Sequence, residues 1–401
     1  MPLRTTVLRN SFRTFSSTCA LRRPLMASLI ALALALVLAG CAAGPAATRG
    51  EVTVYVAGPL SGFQANTGQT VAGGVRLMAE QVNRAGGLLG YKIKVIALDD
   101  EADSEVAVSV AGQIKEAIQR GERVIGVIGH PNSGQTDAAM AIYKDLPIIV
   151  ITPTASEVSL TQRGFRNFFR VNAANDVQAK IGAEYLVNRL GAKKIAVLYN
   201  DDPYGIDLGK LTAAELKRLG AQTPLALQVK VEQNRFGAEV ERIKAAGVDA
   251  IYYAGYEVEC PYLRADLRDA GLGQLTFMAS DGCFLAATID NADGAAEGMY
   301  VTGFAPSPKS AVDQAWVQAY QAVEYRNPDT YSINGYSAMQ VLVEGTKKAG
   351  ALNAARIADA IRKLELTTPL GKVRFLDNGD LAAPQIYIFQ VKNGEFVQVA
   401  P

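Results

Sequence analysis

A single histidine and four cysteines in 401 residues leave little material for a histidine-rich or all-cysteine zinc site. There is no surplus of one charge either. Lysine and arginine number 40 against 39 acidic residues. Five of the arginines (Arg4, Arg9, Arg13, Arg22 and Arg23) lie in the first 40 residues, which hold no acid; removing them leaves 35 basic against 39 acidic side chains, a net of −4 for residues 41–401. Such a body has no chain-wide basic excess to neutralise nucleic-acid phosphates. The motifs G-x-S-x-G, H-E-x-x-H and G-x-x-x-x-G-K-[ST] are missing, and with them the common signatures of an esterase, a zinc protease and a P-loop enzyme. What is present is globular composition, 49% apolar and 20% charged, over a length that suits two ordinary domains.

The longest apolar stretch, residues 25–40 (LMASLIALALALVLAG), is short for a membrane span, which needs about twenty residues. Behind Arg22 and Arg23 it reads as a signal-peptide core. Its end, Leu38-Ala39-Gly40-Cys41, resembles a bacterial lipobox, which predicts a signal peptide over 1–40, lipidation of Cys41 and peripheral attachment to a membrane by the lipid anchor. An ordinary secretory peptide with a chance cysteine is the alternative, and Met26 is a rival start. Residues 41–50 read as a tether.

Beyond it, strands and helices alternate. Val52–Ala57, Ile93–Leu98, Val124–Ile128 and Ile148–Ile151 are predicted strands, separated by predicted helices at Gly68–Asn83, Ser104–Gln119 and Gln135–Lys144. Asp103 or Ser104 is placed to cap the second of these. The pattern restarts with a helix at Lys180–Leu190 and strands at Ile195–Tyr199, Ala250–Tyr253 and Leu275–Met278. Helices return at Val312–Tyr325, Ser337–Lys348 and Ala354–Leu364, then three strand candidates: Lys372–Phe375, Gln385–Gln390 and Phe396–Val399. Buried strands alternating with helices predict an α/β protein with doubly wound parallel sheets, whose ligands bind beyond the carboxyl ends of the strands. Two such halves facing one another would make a hinged cleft. One doubly wound enzyme domain with a substrate domain would give a similar pattern.

The residues at those strand ends resemble the Leu/Ile/Val-binding protein family, the solute receptors of branched-chain amino-acid ABC transporters. The likeness spans residues 50–399. It rests on the order of Gly58-Pro59-Leu60-Ser61-Gly62, residues 83–90 (NRAGGLLG), Asp99-Asp100, residues 129–133 (GHPNS), residues 152–156 (TPTAS), residues 202–205 (DPYG), residues 252–256 (YYAGY) and Ser280-Asp281-Gly282-Cys283. The resemblance implies a type I periplasmic-binding fold with two discontinuous lobes, residues 51–172 with 301–387 and residues 173–300 with 388–401. It implies an extracytoplasmic subunit that captures an amino acid, branched-chain as the leading class, and delivers it to ABC permease subunits. A sensory lipoprotein, or a receptor for amides or small carboxylates, shares the same cleft. No catalysis, cofactor or metal is expected, and His130 matches a position often histidine in the family.

The resemblance also assigns a ligand site. Ser133 and Ser156 correspond to contacts of the ligand's α-carboxylate or ammonium group, beside Ala155; hydroxyls and free N–H groups at helix starts suit a carboxylate. Simple helix capping is the alternative role for each serine. Thr154 stands where the family commonly has an alanine that offers a main-chain carbonyl. Asp281 matches the ammonium-binding acid, and Tyr204, Tyr256 and Tyr331 match aromatic walls. Thr67 stands where the family has tyrosine, and Pro131 and Asn132 replace more apolar pocket residues, which admits a polar ligand. Cys260 and Cys283 follow successive strands, and export to an oxidising compartment predicts a disulfide between them.

Overall fold

Each of the seven residues after Glu51 in the first strand is buried, as in a strand covered on both faces. The computed structural model describes residues 47–401; the expected signal peptide and Cys41 lie outside them. The chain first lays down β1 (Glu51–Gly58), α1 (Ala65–Arg84), β2 (Lys92–Asp99), α2 (Ser104–Gln119), β3 (Val124–Gly129), α3 (Ser133–Tyr143), β4 (Ile149–Thr152) and β5 (Phe168–Arg170). These five strands form one parallel sheet in the order β2-β1-β3-β4-β5. Asp103 caps α2, accepting from the N–H groups of Glu105 and Val106.

A second unit follows: α4 (Asn175–Glu184), β6 (Lys194–Asn200), α5 (Pro203–Arg218), β7 (Gln222–Val229), α6 (Gly237–Ala246), β8 (Ala250–Ala254), α7 (Cys260–Asp269), β9 (Thr276–Ala279), α8 (Ala286–Asp290) and β10 (Tyr300–Gly303). The short α9 (Pro308–Ala311) still lies against the second lobe, the Ser307 N–H before it donating to Gln398 Oε1 at 3.0 Å and Lys309 pairing with Glu395. The chain then returns to the first lobe for α10 (Gln314–Glu324), α11 (Thr330–Ala349), α12 (Ala354–Arg362) and a small hairpin, β11 (Leu366–Thr368) with β12 (Gly371–Val373). It ends back in the second sheet with β13 (Tyr387–Lys392) and β14 (Glu395–Ala400). That sheet runs β14-β13-β10-β9-β8-β6-β7, parallel except for β13, which is antiparallel to both β10 and β14. Asn393 and Gly394, both at positive φ (53° and 74°), make the tight turn between these last strands.

The lobe boundaries differ from the expected ones. Strand β10 pairs with β9 and β13, so the crossing back to the first lobe lies beyond Gly303 and not at residue 300. The last crossing comes before Tyr387, where β13 begins. The expected tether is also partly ordered: Arg49 donates its main-chain N–H to Gly90 O at 3.0 Å and lays its guanidinium 4.7 Å from the centre of the Tyr91 ring. Among the described residues no helix is long and apolar enough to cross a membrane.

Helices α1 and α11 touch backbone to backbone. A Cβ on Gly74 would stand 2.0 Å from Ser332 O, and one on Gly335 would stand 2.2 Å from Val71 O. Glycine at both contacts lets the helix axes approach, and the buried side chains Val75, Met78, Met339 and Leu342 join the same core. The approach sets the first turns of both helices, with Thr67 and Tyr331, at one edge of the lobe.

Candidate functional site

The two sheets present the carboxyl ends of β1, β3, β4, β6, β8 and β9 to a common cleft, and the loops and helix starts that follow these strands line it. The space the closed lobes enclose is small, about 20 Å³.

The first lobe supplies Gln64 and Thr67 at the start of α1, Pro131, Asn132 and Ser133 at the start of α3, and Thr154 after β4. Ser133 does not cap its own helix. Its Oγ accepts the N–H groups of Ser156 (3.2 Å) and Glu157 (3.1 Å), tying the loop after β4 to α3. The Thr154 hydroxyl donates to Pro131 O at 2.9 Å, and the Thr154 carbonyl already accepts from Asn172 Nδ2 at 3.1 Å. Behind this wall the fully buried Arg170 donates to Asp380 Oδ1 (2.5 Å), Glu157 O (3.0 Å) and Thr161 Oγ1 (2.6 Å), which fixes the loop from below.

The second lobe supplies Tyr204 in the first turn of α5, Tyr256 and Glu257 after β8, and Asp281 with Gly282 after β9. Tyr204 and Tyr256 stack, centroids 5.4 Å apart and planes 19° apart. Asp281 Oδ1 accepts from Tyr204 OH at 2.6 Å and from Gln178 Nε2 at 2.8 Å. Burial pushes its carboxyl up to about 6, and those two hydrogen bonds hold it from rising further. Glu257 is buried, and desolvation pushes its carboxyl up to about 8, with repulsion from Glu259 and Asp281 adding to the rise. Among the described residues no lysine, arginine or histidine lines the cavity. Two buried carboxyl groups therefore face it with no protein cation beside them.

The lobes are joined across the cleft. Tyr331, on the first turn of α11, donates its hydroxyl to the main-chain oxygen of Asp281 at 2.7 Å. Thr67 Oγ1 reaches Glu257 Oε1 at 3.4 Å. At the rim, Val158 N–H meets Asp207 Oδ2 at 3.3 Å, and a Cβ on Gly134 would lie 3.3 Å from Asp202 Oδ2. This is a closed arrangement.

Of the nine ligand-site residues expected from the sequence, seven stand on the cavity wall: Asn132, Ser133, Thr154, Tyr204, Tyr256, Asp281 and Tyr331. Ala155 and Ser156 do not; the chain turns behind the wall there, with the Ser156 N–H held by Ser133. Gln64, Glu257 and Gly282 were not singled out, although Glu257 follows the noted Tyr256 directly. His130 lies buried away from the cavity, its Nδ1 2.5 Å from Asp100 Oδ2 and its Nε2 3.3 Å from Tyr143 OH. The expected Cys260–Cys283 disulfide is not formed. Both are free, buried thiols; Cys283 donates to the carbonyls of Gly255 and Tyr256, each at 3.6 Å, and burial pushes its thiol well up.

Residues 51–395 match the protein family described as periplasmic binding protein. An amino acid binding protein of Pseudomonas aeruginosa is 32% identical over 345 residues, 85% of this chain and 90% of that protein. A leucine-, isoleucine-, valine-, threonine- and alanine-binding protein of the same organism is 29% identical over 333 residues, 82% of this chain and 87% of that protein. The solved structure of a leucine-binding protein from Thermotoga maritima matches with a TM-score of 0.80 at 24% identity, covering 87% of this chain and 98% of that one. The two-lobed type I fold expected from the strand-end motifs is thus the observed fold. With the family match running through both sheets and every loop of the cleft, this chain belongs to the periplasmic binding protein family.

Proposed function

We propose that this protein captures a free α-amino acid outside the cytoplasmic membrane and presents it, lobes closed, to the permease of an ABC importer. The observation that carries the reading is Asp281. It is a buried carboxylate on the second lobe, oriented by Tyr204 and Gln178, facing the start of α3 on the first. An ammonium group satisfies the acid, and a carboxylate suits the helix start and hydroxyls opposite. A ligand with both groups one carbon apart bridges the lobes and favours closure, because it binds the closed state more strongly than the open one. Relatives that bind leucine, isoleucine, valine, threonine and alanine support the amino-acid class. The subunit makes and breaks no bond in this reading; it is anchored by a lipid on Cys41.

Titration calorimetry with an amino acid and its deaminated analogue tests the assignment. Asp281→Asn is expected to weaken the amino acid by roughly 2–4 kcal/mol and the analogue far less. Equal losses for both ligands in a folded variant would show that the acid does not hold the ammonium group.

A further inference from the structure

The cavity wall lacks what a branched aliphatic side chain needs. Apart from the three tyrosine rings and Pro131, its side chains are polar or acidic, and among the described residues no leucine, isoleucine, valine, methionine or phenylalanine reaches it. The region beside Asp281 is instead built around a second acid. Glu257 is 3% exposed, and the only side chain hydrogen-bonded to it among the described residues is Thr67, across the cleft, at the long distance of 3.4 Å. The carboxamides of Asn132 and Gln64, hydrogen-bonded to each other, continue this polar wall.

Charge balance then decides between ligands. A zwitterionic amino acid gives its ammonium to Asp281 and its carboxylate to the opposite lobe. It leaves Glu257 with only the long Thr67 contact, so the acid either keeps its proton or stands as an enclosed, unpaired carboxylate, and either state has a cost. One further positive group on the ligand removes that cost. Resting on the amino-acid reading above, we propose that Glu257 is the centre of a second subsite that binds a cationic side chain, so that the solute is a diamino or guanidino acid.

Wild-type protein, Glu257→Gln and Asp281→Asn should be titrated with L-ornithine, L-lysine, L-arginine, L-norleucine and L-leucine. At least one of the three cationic amino acids is expected to bind wild-type protein 10- to 100-fold more tightly than norleucine, which has lysine's chain without the terminal amine. Glu257→Gln should erase that preference while leaving norleucine within about threefold of its wild-type affinity. Asp281→Asn should weaken cationic and neutral ligands alike. Leucine or norleucine bound as tightly as every cationic acid would overturn the subsite and leave the amino-acid reading standing, as would a preference that survives Glu257→Gln. Failure of all five to bind folded wild-type protein would overturn both. Circular dichroism of each variant separates lost binding from lost folding. If Glu257→Gln does not fold, Glu257→Ala takes its place with the same expected loss of the preference, and a wild-type protein that binds norleucine as tightly as every cationic acid overturns the proposal without any variant.

Discussion

Glu257 holds its proton far above the ordinary carboxylic range because water is excluded around it and the acids Glu259 and Asp281 stand nearby. The linkage has a definite sign. The unfolded chain ionises this acid near 4.5, whereas the folded protein retains the proton to about 8. Stability is therefore full below the unfolded value, falls between about pH 4.5 and 8, and is flat above. Glu257→Gln is expected to stabilise the ligand-free protein by roughly 2–4 kcal/mol at pH 8 and by almost nothing at pH 4. Urea unfolding at the two pH values measures this; an equal effect at both would show that the acid does not titrate in that window. The residue also shows what a sequence leaves hidden. Glu257 and Glu259 stand two apart in one loop and look alike in one dimension. Only the folded turn after β8 turns Glu259 inward, where it accepts from Tyr253 OH and from the N–H groups of Tyr256 and Glu232, and leaves Glu257 on the cleft. Tyr204, Tyr256 and Asp281 were legible because each follows a strand at a distinctive motif.

At the scale of elements, the long strands and helices were readable from their periodicity. Strands β5 (FFR) and β10 (YVTG) were not, because neither shows the unbroken aliphatic run that marks the equally short β4 (IVIT), and both are defined by their pairing partners and not by a repeat. Helix α11 begins seven residues before the expected Ser337, where Asp329 and Ser332 form a capping box that the apolar pattern does not reveal. That earlier start is what puts Tyr331 on a helix and within reach of Asp281. The opposing starts of α3 and α5 support a further prediction. Gly134 faces Asp202 and Pro203 with room for little more than a methyl group. Gly134→Leu is accommodated by helical backbone but blocks the approach of α3 to α5. It is expected to weaken ligand about tenfold or more by depopulating the closed state. Small-angle scattering should show that saturating ligand compacts the wild type but not the variant. Compaction of both would mean that this contact does not govern closure.

For the whole molecule, attachment and folding are separate questions. Cys41→Ser is expected to free the body from the membrane fraction or leave it held only by an uncleaved leader, while the purified body still binds its solute with unchanged affinity. Fractionation with intact mass measures the first and calorimetry the second; a wild-type protein carrying no added acyl mass would exclude the anchor. The body itself is threaded twice through both lobes. The first lobe's core needs Val341 and Leu342 of α11 and Ile357 and Ile361 of α12, and the second sheet is completed only by β13 and β14, which close on Ala400. A chain emerging amino end first across a membrane thus exposes a first sheet that lacks its α11 and α12 cover and a second sheet that lacks its last two strands until nearly its last residue has crossed. In the export proposed above, folding is completed only after the carboxyl-terminal strands arrive, and a nascent chain stalled near residue 300 is expected to present protease-sensitive halves, not one finished lobe awaiting the other.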